Sequence, residues 1–398
     1  MVNSNVTKTL VFDPITFKGG SKIATVEALS LCRADINHFV IATADVEFWK
    51  SCKLTASHSV DIVAMPLIKP LAKQHYGLLY WLSQCYTALC LLFFLIKYKS
   101  IDRAIGASGP GMDMPLYIVK LLKNIELVQF IHGHVGNSRS IGYCLTVADK
   151  VFYLPSCRPS ISVALRTYLE RKTSIEDSGS LVEMYLTSRK YHTFVNGLPE
   201  DRWPTRCQTD FPVCFWAASL LKWKGLDLFV EALKHAAHIK PIASNICYIR
   251  PVDTAIPTST APVVIKYTNW YQDPQELDTI RSQSNIFVST SHKEPFGLSI
   301  LEALAAGMCV VIPQDGSYWD KRLTHNLNCI KYLPDDANSL CDALLYAVKD
   351  RTNFKRCIDN GMMIAEEYRA EQRYLDFVKT IDPNPYLKLS REPKPQSH

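Results

Sequence analysis

Short apolar, β-branched runs recur along this chain, separated by longer stretches of helical pattern and by turn formers. Thr9–Phe12, His38–Ala44, Val60–Ala64, Ile101–Ile105, Leu127–His132, Val151–Leu154 and Thr193–Val195 form a first series. Each is too short for a helix and predicts a buried strand. A second series begins near Pro212, with Val213–Ala217, Ile246–Tyr248, Val263–Tyr267, Ile286–Ser289 and Cys309–Ile312. Helical patterns at Lys22–Leu31, Leu226–Ala237, Gln275–Gln283, Ser299–Ala306 and Glu366–Thr380 lie between or after them. Strands alternating with helices predict parallel β-α-β units, hence an α/β fold. A length of 398 residues exceeds one ordinary hydrophobic core and suits two such domains. The turn-rich Asn196–Pro204 segment suits a hinge between them. The domains expected are therefore 1–200, 201–365, and a terminal 366–398 segment comprising a helix that returns toward the first domain and a proline-rich, mobile tail. Two facing α/β domains leave a cleft lined by the carboxyl ends of both sheets, where ligands bind in open α/β folds.

Gly77–Ile96 departs from this rhythm, running twenty residues without a charge. It is long enough to cross a bilayer. Yet Tyr80, Ser83, Gln84 and Thr87 draw a polar stripe along its first half. A span here would also separate the first three strands from the later ones. The segment reads better as a crossover helix with an apolar end. Lys69, Lys73, Lys97, Lys99 and Arg103 flank it, a pattern that suits docking on an anionic lipid face and equally suits a buried helix with solvated ends. The net charge of +6 is spread thinly, without the basic stripe of a nucleic-acid binder. Thirteen cysteines cannot all pair within the chain, and no C-x-x-C occurs. Many lie in apolar runs, which suits a reducing compartment. The amino-terminal residues lack a basic region followed by an apolar stretch, so no secretory signal is expected.

The stretch Ser291-His-Lys-Glu-Pro-Phe-Gly-Leu-Ser-Ile-Leu-Glu-Ala-Leu-Ala-Ala-Gly307 follows a predicted strand and opens a predicted helix. Gly297 permits close backbone approach, and the amides of Leu298 and Ser299 form a helix N-terminus that favours phosphate. A carboxylate beside a phosphate would repel it. Glu294 and Glu302 therefore suit acceptance of hydrogen bonds from hydroxyls, which sugars supply in quantity.

Glu294-Pro-Phe-Gly297 followed by Glu302-Ala-x-Ala-x-Gly307 resembles the signature of retaining GT-B glycosyltransferases of family 4, the glycosyl transferases group 1. Ser291 before the first glutamate and Val310-Val311 after Gly307 agree with that pattern. The resemblance implies two Rossmann-like domains, the first binding an acceptor and the second a nucleotide sugar. It implies that Lys224, in Lys224-Gly225, holds the donor diphosphate. An arginine normally stands five residues earlier; Ser219 is there in this chain, and Lys222 or Arg250 is left to supply the charge. A Gly-x-Gly turn after the next strand is replaced by Tyr248-Ile-Arg-Pro251. Gly19-Gly20 matches the family's glycine loop, and His132 its histidine near the donor sugar. Asp149 and Asn196-Gly197 also match, and read as architectural. Glu294, His132 and Lys224 are thus the expected catalytic residues. Glu302, Gly297, Leu298, Ser299, Lys222, Gly19, Gly20 and Arg250 are the expected donor site. With no Asp-x-Asp present, and lysines and helix amides available, neither a metal nor another cofactor is expected beyond the nucleotide sugar itself. Base recognition would fall near Tyr267–Trp270. The acceptor implied is a glycan, lipid-linked in view of Gly77–Ile96, with no nucleic-acid partner. The expected location is the cytoplasm, peripheral on the inner face of the plasma membrane. A sugar-nucleotide epimerase of the same architecture and an inactive nucleotide-sugar-binding scaffold are the alternatives.

Overall fold

The computed structural model describes residues 6–66, 68, 74, 76–98, 100–172, 178–251 and 256–382. Two parallel sheets organise the chain. The first has seven strands: β1 (Thr7–Asp13), β2 (Asn37–Thr43), β3 (Ser59–Ala64), β4 (Ile101–Gly106), β5 (Glu126–Ile131), β6 (Lys150–Tyr153) and β7 (Tyr191–Thr193), in the order 3-2-1-4-5-6-7. The second has six: β8 (Val213–Ser219), β9 (Ala243–Ile249), β10 (Thr268–Gln272), β11 (Ile286–Val288), β12 (Cys309–Pro313) and β13 (Ile330–Tyr332), in the order 10-9-8-11-12-13. Every strand pair is parallel. Both sheets reverse direction between their first and fourth strands, the topological switch point that opens a crevice at the carboxyl ends. Central strands such as β12 are buried along their whole length, as a sheet covered by helices on both faces requires.

The sequence pattern and the structure part at particular places. Val263–Tyr267 is not a strand. Val264 is 99% exposed, Tyr267 adopts φ +62°, and pairing with β9 begins only at Thr268. The polar Thr268-Asn-Trp-Tyr-Gln272 edge strand is half-buried and lacks the apolar run that marks a central strand. The last strand of the first sheet starts two residues before the expected Thr193. Glu366–Thr380 is not one helix either. The helix Arg351–Glu366 ends there, and shorter helices follow at Ala370–Arg373 and Leu375–Ile381. The break has a tertiary cause: Leu198 N–H donates to Tyr368 O at 2.8 Å and Ala370 N–H donates to Leu198 O at 3.0 Å, which draws the chain into an extended bridge. Leu375–Ile381 lies against the first sheet, where Phe377 stacks on Phe130 at 4.5 Å and Asp382 accepts from the Arg33 amide at 2.6 Å. The proline-rich tail read as mobile, 383–398, lies outside the described residues.

Gly77–Lys97 is a single helix connecting β3 to β4. Both strands belong to one sheet, so the helix is a crossover and does not pass through a membrane. Its polar stripe faces inward, with Tyr80, Gln84 and Thr87 buried. Among the flanking cations, Lys69, Lys73 and Lys99 lie outside the described residues. Arg103 is no surface charge: it is buried on β4, pairs with Glu126 at 2.7 Å and donates to Ile381 O.

Two buried polar centres shape the cleft end of the first sheet. Lys22 is buried among Asp13 at 3.0 Å, Asp45 at 2.9 Å and the Ile15 carbonyl at 2.9 Å, so the turn after β1 is pinned by a compensated charge. Asp113 is fully buried after the glycine-rich turn that follows β4, accepting from Gln129 Nε2 at 2.7 Å and Ser108 N–H at 3.0 Å. Burial pushes its pKa up to about 8, against the opposing pull of those hydrogen bonds. The acid is therefore neutral in the fold and ionised when unfolded between 3.8 and about 8. In that window the unfolded state binds fewer protons, so this group's contribution falls by about 1.4 kcal/mol per pH unit as pH rises. Asp113→Asn is expected to remove that slope. Urea denaturation of variant and wild type across the window should show their stability difference growing in the variant's favour as pH rises. Parallel curves would contradict the assignment.

Candidate active site

With one exception, the chemistry-bearing loops singled out above leave the carboxyl ends of strands. Lys222–Gly225 follows β8, Arg250 follows β9, and the Ser291–Gly297 segment follows β11. Opposite them, Gly19-Gly20 follows β1 and His132 follows β5. Tyr267–Trp270 is the exception. It sits at the amino end and middle of β10, away from the cleft, so the expected place for base recognition does not hold; Gln272 and Asp273 occupy the cleft end of that strand.

The β8 and β11 loops are stitched together by the backbone. Thr290 Oγ1 donates to Lys224 O at 2.9 Å, His292 N–H donates to Trp223 O at 2.9 Å, and Trp216 Nε1 donates to Thr290 Oγ1 at 3.0 Å. Gly225 adopts φ +72°, and a Cβ there would sit 2.1 Å from Thr290 O. Only glycine allows that approach. The result brings Lys224 Nζ onto Glu294 Oε2 at 2.5 Å, both side chains four-fifths or more buried, with the ammonium 4.0 Å above the Trp223 ring.

Gly297 adopts φ +81° and starts the helix Leu298–Ala305. Its carbonyl accepts from Ile300 N–H at 3.1 Å and from Trp319 Nε1 at 3.2 Å. Helix geometry gives Leu298 and Ser299 N–H no partner four residues back, which leaves two donors at the positive end of the helix. Phe296 anchors the turn against Tyr318, Trp319 and Tyr368.

Glu302 lies one turn on, and both its oxygens are engaged: Arg202 Nη2 at 3.3 Å and Arg281 Nη2 at 2.9 Å. Arg202 also reaches Glu27 at 3.0 Å, on the helix Gly20–Ser30 of the first sheet. Arg202 thus clasps the two halves through one guanidinium. Sequence reading missed Arg202, Arg281 and Glu27. Arg202 lay in the segment taken as a hinge, and the pairs are separated by 175 and 100 residues, beyond the reach of any local pattern.

Across the cleft, a Cβ on Gly20 would lie 3.8 Å from Leu298 Cδ1, so the glycine loop faces the helix start directly. Ser156 Oγ donates to Pro295 O at 2.5 Å, a second bridge between the halves. His132 Nε2 lies 3.1 Å from Thr25 Oγ1, whose own proton goes to Ser21 O at 2.8 Å, so the imidazole donates from Nε2. Its Nδ1 has no hydrogen-bond partner among the described residues. Burial pushes the His132 pKa down to about 3, slightly offset by Asn196, and the ring is neutral near pH 7. The two residues expected to replace the absent arginine at Ser219 are less committed. Lys222 is largely exposed and pairs with Asp227 at 2.6 Å, while Arg250 Nη2 donates to Ala261 O at 2.9 Å. Among the described residues no three His, Cys, Asp or Glu side chains gather to hold a metal ion.

Two parallel-sheet domains joined across such a cleft constitute the GT-B fold. The segment 266–362 matches the family described as Glycosyl transferases group 1, and it contains Glu294, Gly297, Glu302 and Gly307. A sucrose-phosphate synthase of Zea mays is 32% identical over 98 residues, 24% of this chain and 9% of that protein, so the match spans less than a tenth of that relative's length. The fold is similar along nearly the whole chain to the Anabaena protein HepE solved in complex with UDP and glucose, at TM-score 0.68 and 14% identity, covering 95% of this chain and all of that one. It is also similar to sucrose-phosphate synthase from Thermosynechococcus elongatus, at TM-score 0.67 and 13% identity, covering 96% and 100%. WaaG, a glycosyltransferase involved in lipopolysaccharide biosynthesis, aligns at TM-score 0.56 and 12% identity, covering 95% and 100%.

The clasp can be tested without substrate. Arg202→Ala leaves Glu27 buried and unpaired, and is expected to cost about 1–3 kcal/mol in urea denaturation, with Arg202→Lys recovering part of it. A loss below about 0.5 kcal/mol would mean that the clasp does not hold the halves together.

Proposed function

We propose that this protein is a retaining glycosyltransferase that moves a sugar from a nucleotide-sugar donor to a glycan acceptor carried on a lipid, in the assembly of a surface glycan such as O-antigen, lipopolysaccharide or capsule. The observation that carries this reading is the meeting of Lys224, Glu294 and the Leu298–Ser299 amides at one sheet's carboxyl end, facing Gly20 and His132 on the other. The group 1 match over this segment, and neighbours of the same fold solved with UDP and with UDP-glucose, support a uridine-type donor as the first to test.

In this reading the donor diphosphate lies against the helix start. Lys224 and the two amides offset the charge that grows on the leaving oxygen. The diphosphate draws Lys224 away from Glu294, and Glu294 then accepts hydrogen bonds from hydroxyls of the transferred sugar. Glu302, its side chain fixed by Arg202 and Arg281, offers its remaining lone pairs to the ribose hydroxyls. Neutral His132 orients the sugar from the opposite domain. Lys222 or Arg250 supplies the second positive charge near Ser219. As the diphosphate departs, positive character develops at the anomeric carbon; the acceptor hydroxyl attacks from the leaving-group face and passes its proton to the departing phosphate oxygen, which preserves configuration. Closure of the halves excludes water and disfavours hydrolysis. With the diphosphate already neutralised by the protein, no metal is required. The protein works at the cytoplasmic face of the membrane, where such donors and acceptors meet.

Nucleotide release with a panel of nucleotide sugars and lipid-linked acceptors tests the reading. Lys224→Ala and Glu294→Gln are each expected to lower kcat/KM by about 10²–10³-fold, and activity should survive EDTA. Full turnover in the double variant would contradict it. Conversion of donor in the absence of acceptor would identify an epimerase instead.

A further inference from the structure

The helix Gly77–Lys97 is built with its polarity inverted. A water-facing helix turns its polar stripe outward. Here Tyr80, Gln84 and Thr87 point inward with Ala88, Leu91 and Leu95. The outward stripe is Leu78, Leu82, Cys85, Leu89, Phe93 and Ile96, exposed over more than half of the surface of each leucine, Phe93 and Ile96. Leu121 and Leu122, about two-thirds exposed on the neighbouring helix Met114–Leu122, add to it. Exposed apolar surface of this extent marks an interaction site.

We propose that this face is an in-plane anchor that seats the protein on an anionic lipid bilayer without crossing it. Three observations favour that occupant. First, the helix has 21 residues, about 31 Å at 1.5 Å per residue, and both its ends return to one parallel sheet, so it lies along a membrane surface and does not span it. Second, residues 62–101 contain no Asp or Glu, and each apolar ridge ends in a lysine: Ile96 in Lys97, Leu122 in Lys123. Neither lysine has a carboxylate partner among the described residues. An acid-free segment with cations at the ends of its apolar stripe complements anionic headgroups. A second copy docked on the same face would set two such segments against each other. Third, Tyr80 Oη, in the first turn of the helix, donates to Gly111 O at 2.7 Å, in the turn that follows β4. The anchor's leading end therefore lies at the rim of the cleft. A lipid-linked acceptor would enter there with its lipid still in the bilayer. This extends the acceptor class proposed above and rests on it only in that last step.

The test is vesicle flotation of the full chain, using phosphatidylcholine alone and phosphatidylcholine with phosphatidylglycerol, alongside Leu89→Gln/Phe93→Gln. Wild type is expected to float with the anionic vesicles, less so at high salt, and weakly with the neutral ones. The double variant should lose roughly tenfold or more of its partitioning, while UDP raises its melting temperature as in wild type. Wild type that stays unbound to both vesicles overturns the proposal, as does a double variant that floats equally well. A wild-type dimer in light scattering that becomes a monomer in the variant would assign the face to a second copy and overturn it too. Loss of the UDP response in wild type with flotation intact would count against the donor reading and leave the anchor standing.

Discussion

Lys224 and Glu294 are 70 residues apart, and they meet because two loops share a backbone seam. Thr290 fills the space that a side chain on residue 225 would need, and its hydroxyl closes onto Lys224 O. That seam fixes the turn after β8 against the turn after β11. It also sets the distance between an ammonium, a carboxylate and the free amides of a helix start. The ammonium and carboxylate neutralise each other in a largely buried place. In the proposed function, a donor diphosphate would take over the ammonium and free the carboxylate as an acceptor for hydroxyls. A site that holds both roles in one ion pair is suited to a ligand that is anionic at one end and hydroxylated at the other.

The second organising contact is the Glu27–Arg202–Glu302–Arg281 chain of ion pairs. It runs from the glycine-loop helix, through the segment joining the two sheets, to the motif helix. The charged links are partly buried, so each carboxylate depends on its guanidinium for compensation. Glu302 is therefore held by the contact between the two halves as well as by its own helix, which couples the geometry of the cleft to that of the motif helix.

Much of this was legible in the sequence. Strands buried on both faces, such as β5, β8 and β12, announce themselves as apolar runs, because a covered parallel sheet leaves no polar alternation to read. The positions of Glu294, Gly297, Lys224, Gly20 and His132 follow from where those runs end. The half-buried β10 was not legible: its Thr268–Gln272 pattern is polar, and the neighbouring Val263-Val264-Ile265 run imitates a strand while exposing Val264. Nor could composition show that Leu198 breaks the terminal helix at Arg369, or that Arg202 joins two carboxylates from different halves. These are tertiary facts between residues far apart in the chain. The polar stripe of Gly77–Lys97 was read correctly as a stripe. Only packing reveals that it faces the protein, where Tyr80 supports the turn at Gly111, and that the apolar stripe is left outside.

The most direct measurement is a crystal structure of the protein with a bound nucleoside diphosphate. The diphosphate oxygens are expected within hydrogen-bonding reach of Lys224 Nζ and of the Leu298 and Ser299 amides, with the Lys224–Glu294 contact opened. A diphosphate bound elsewhere, or bound with that ion pair intact, would contradict the proposed site.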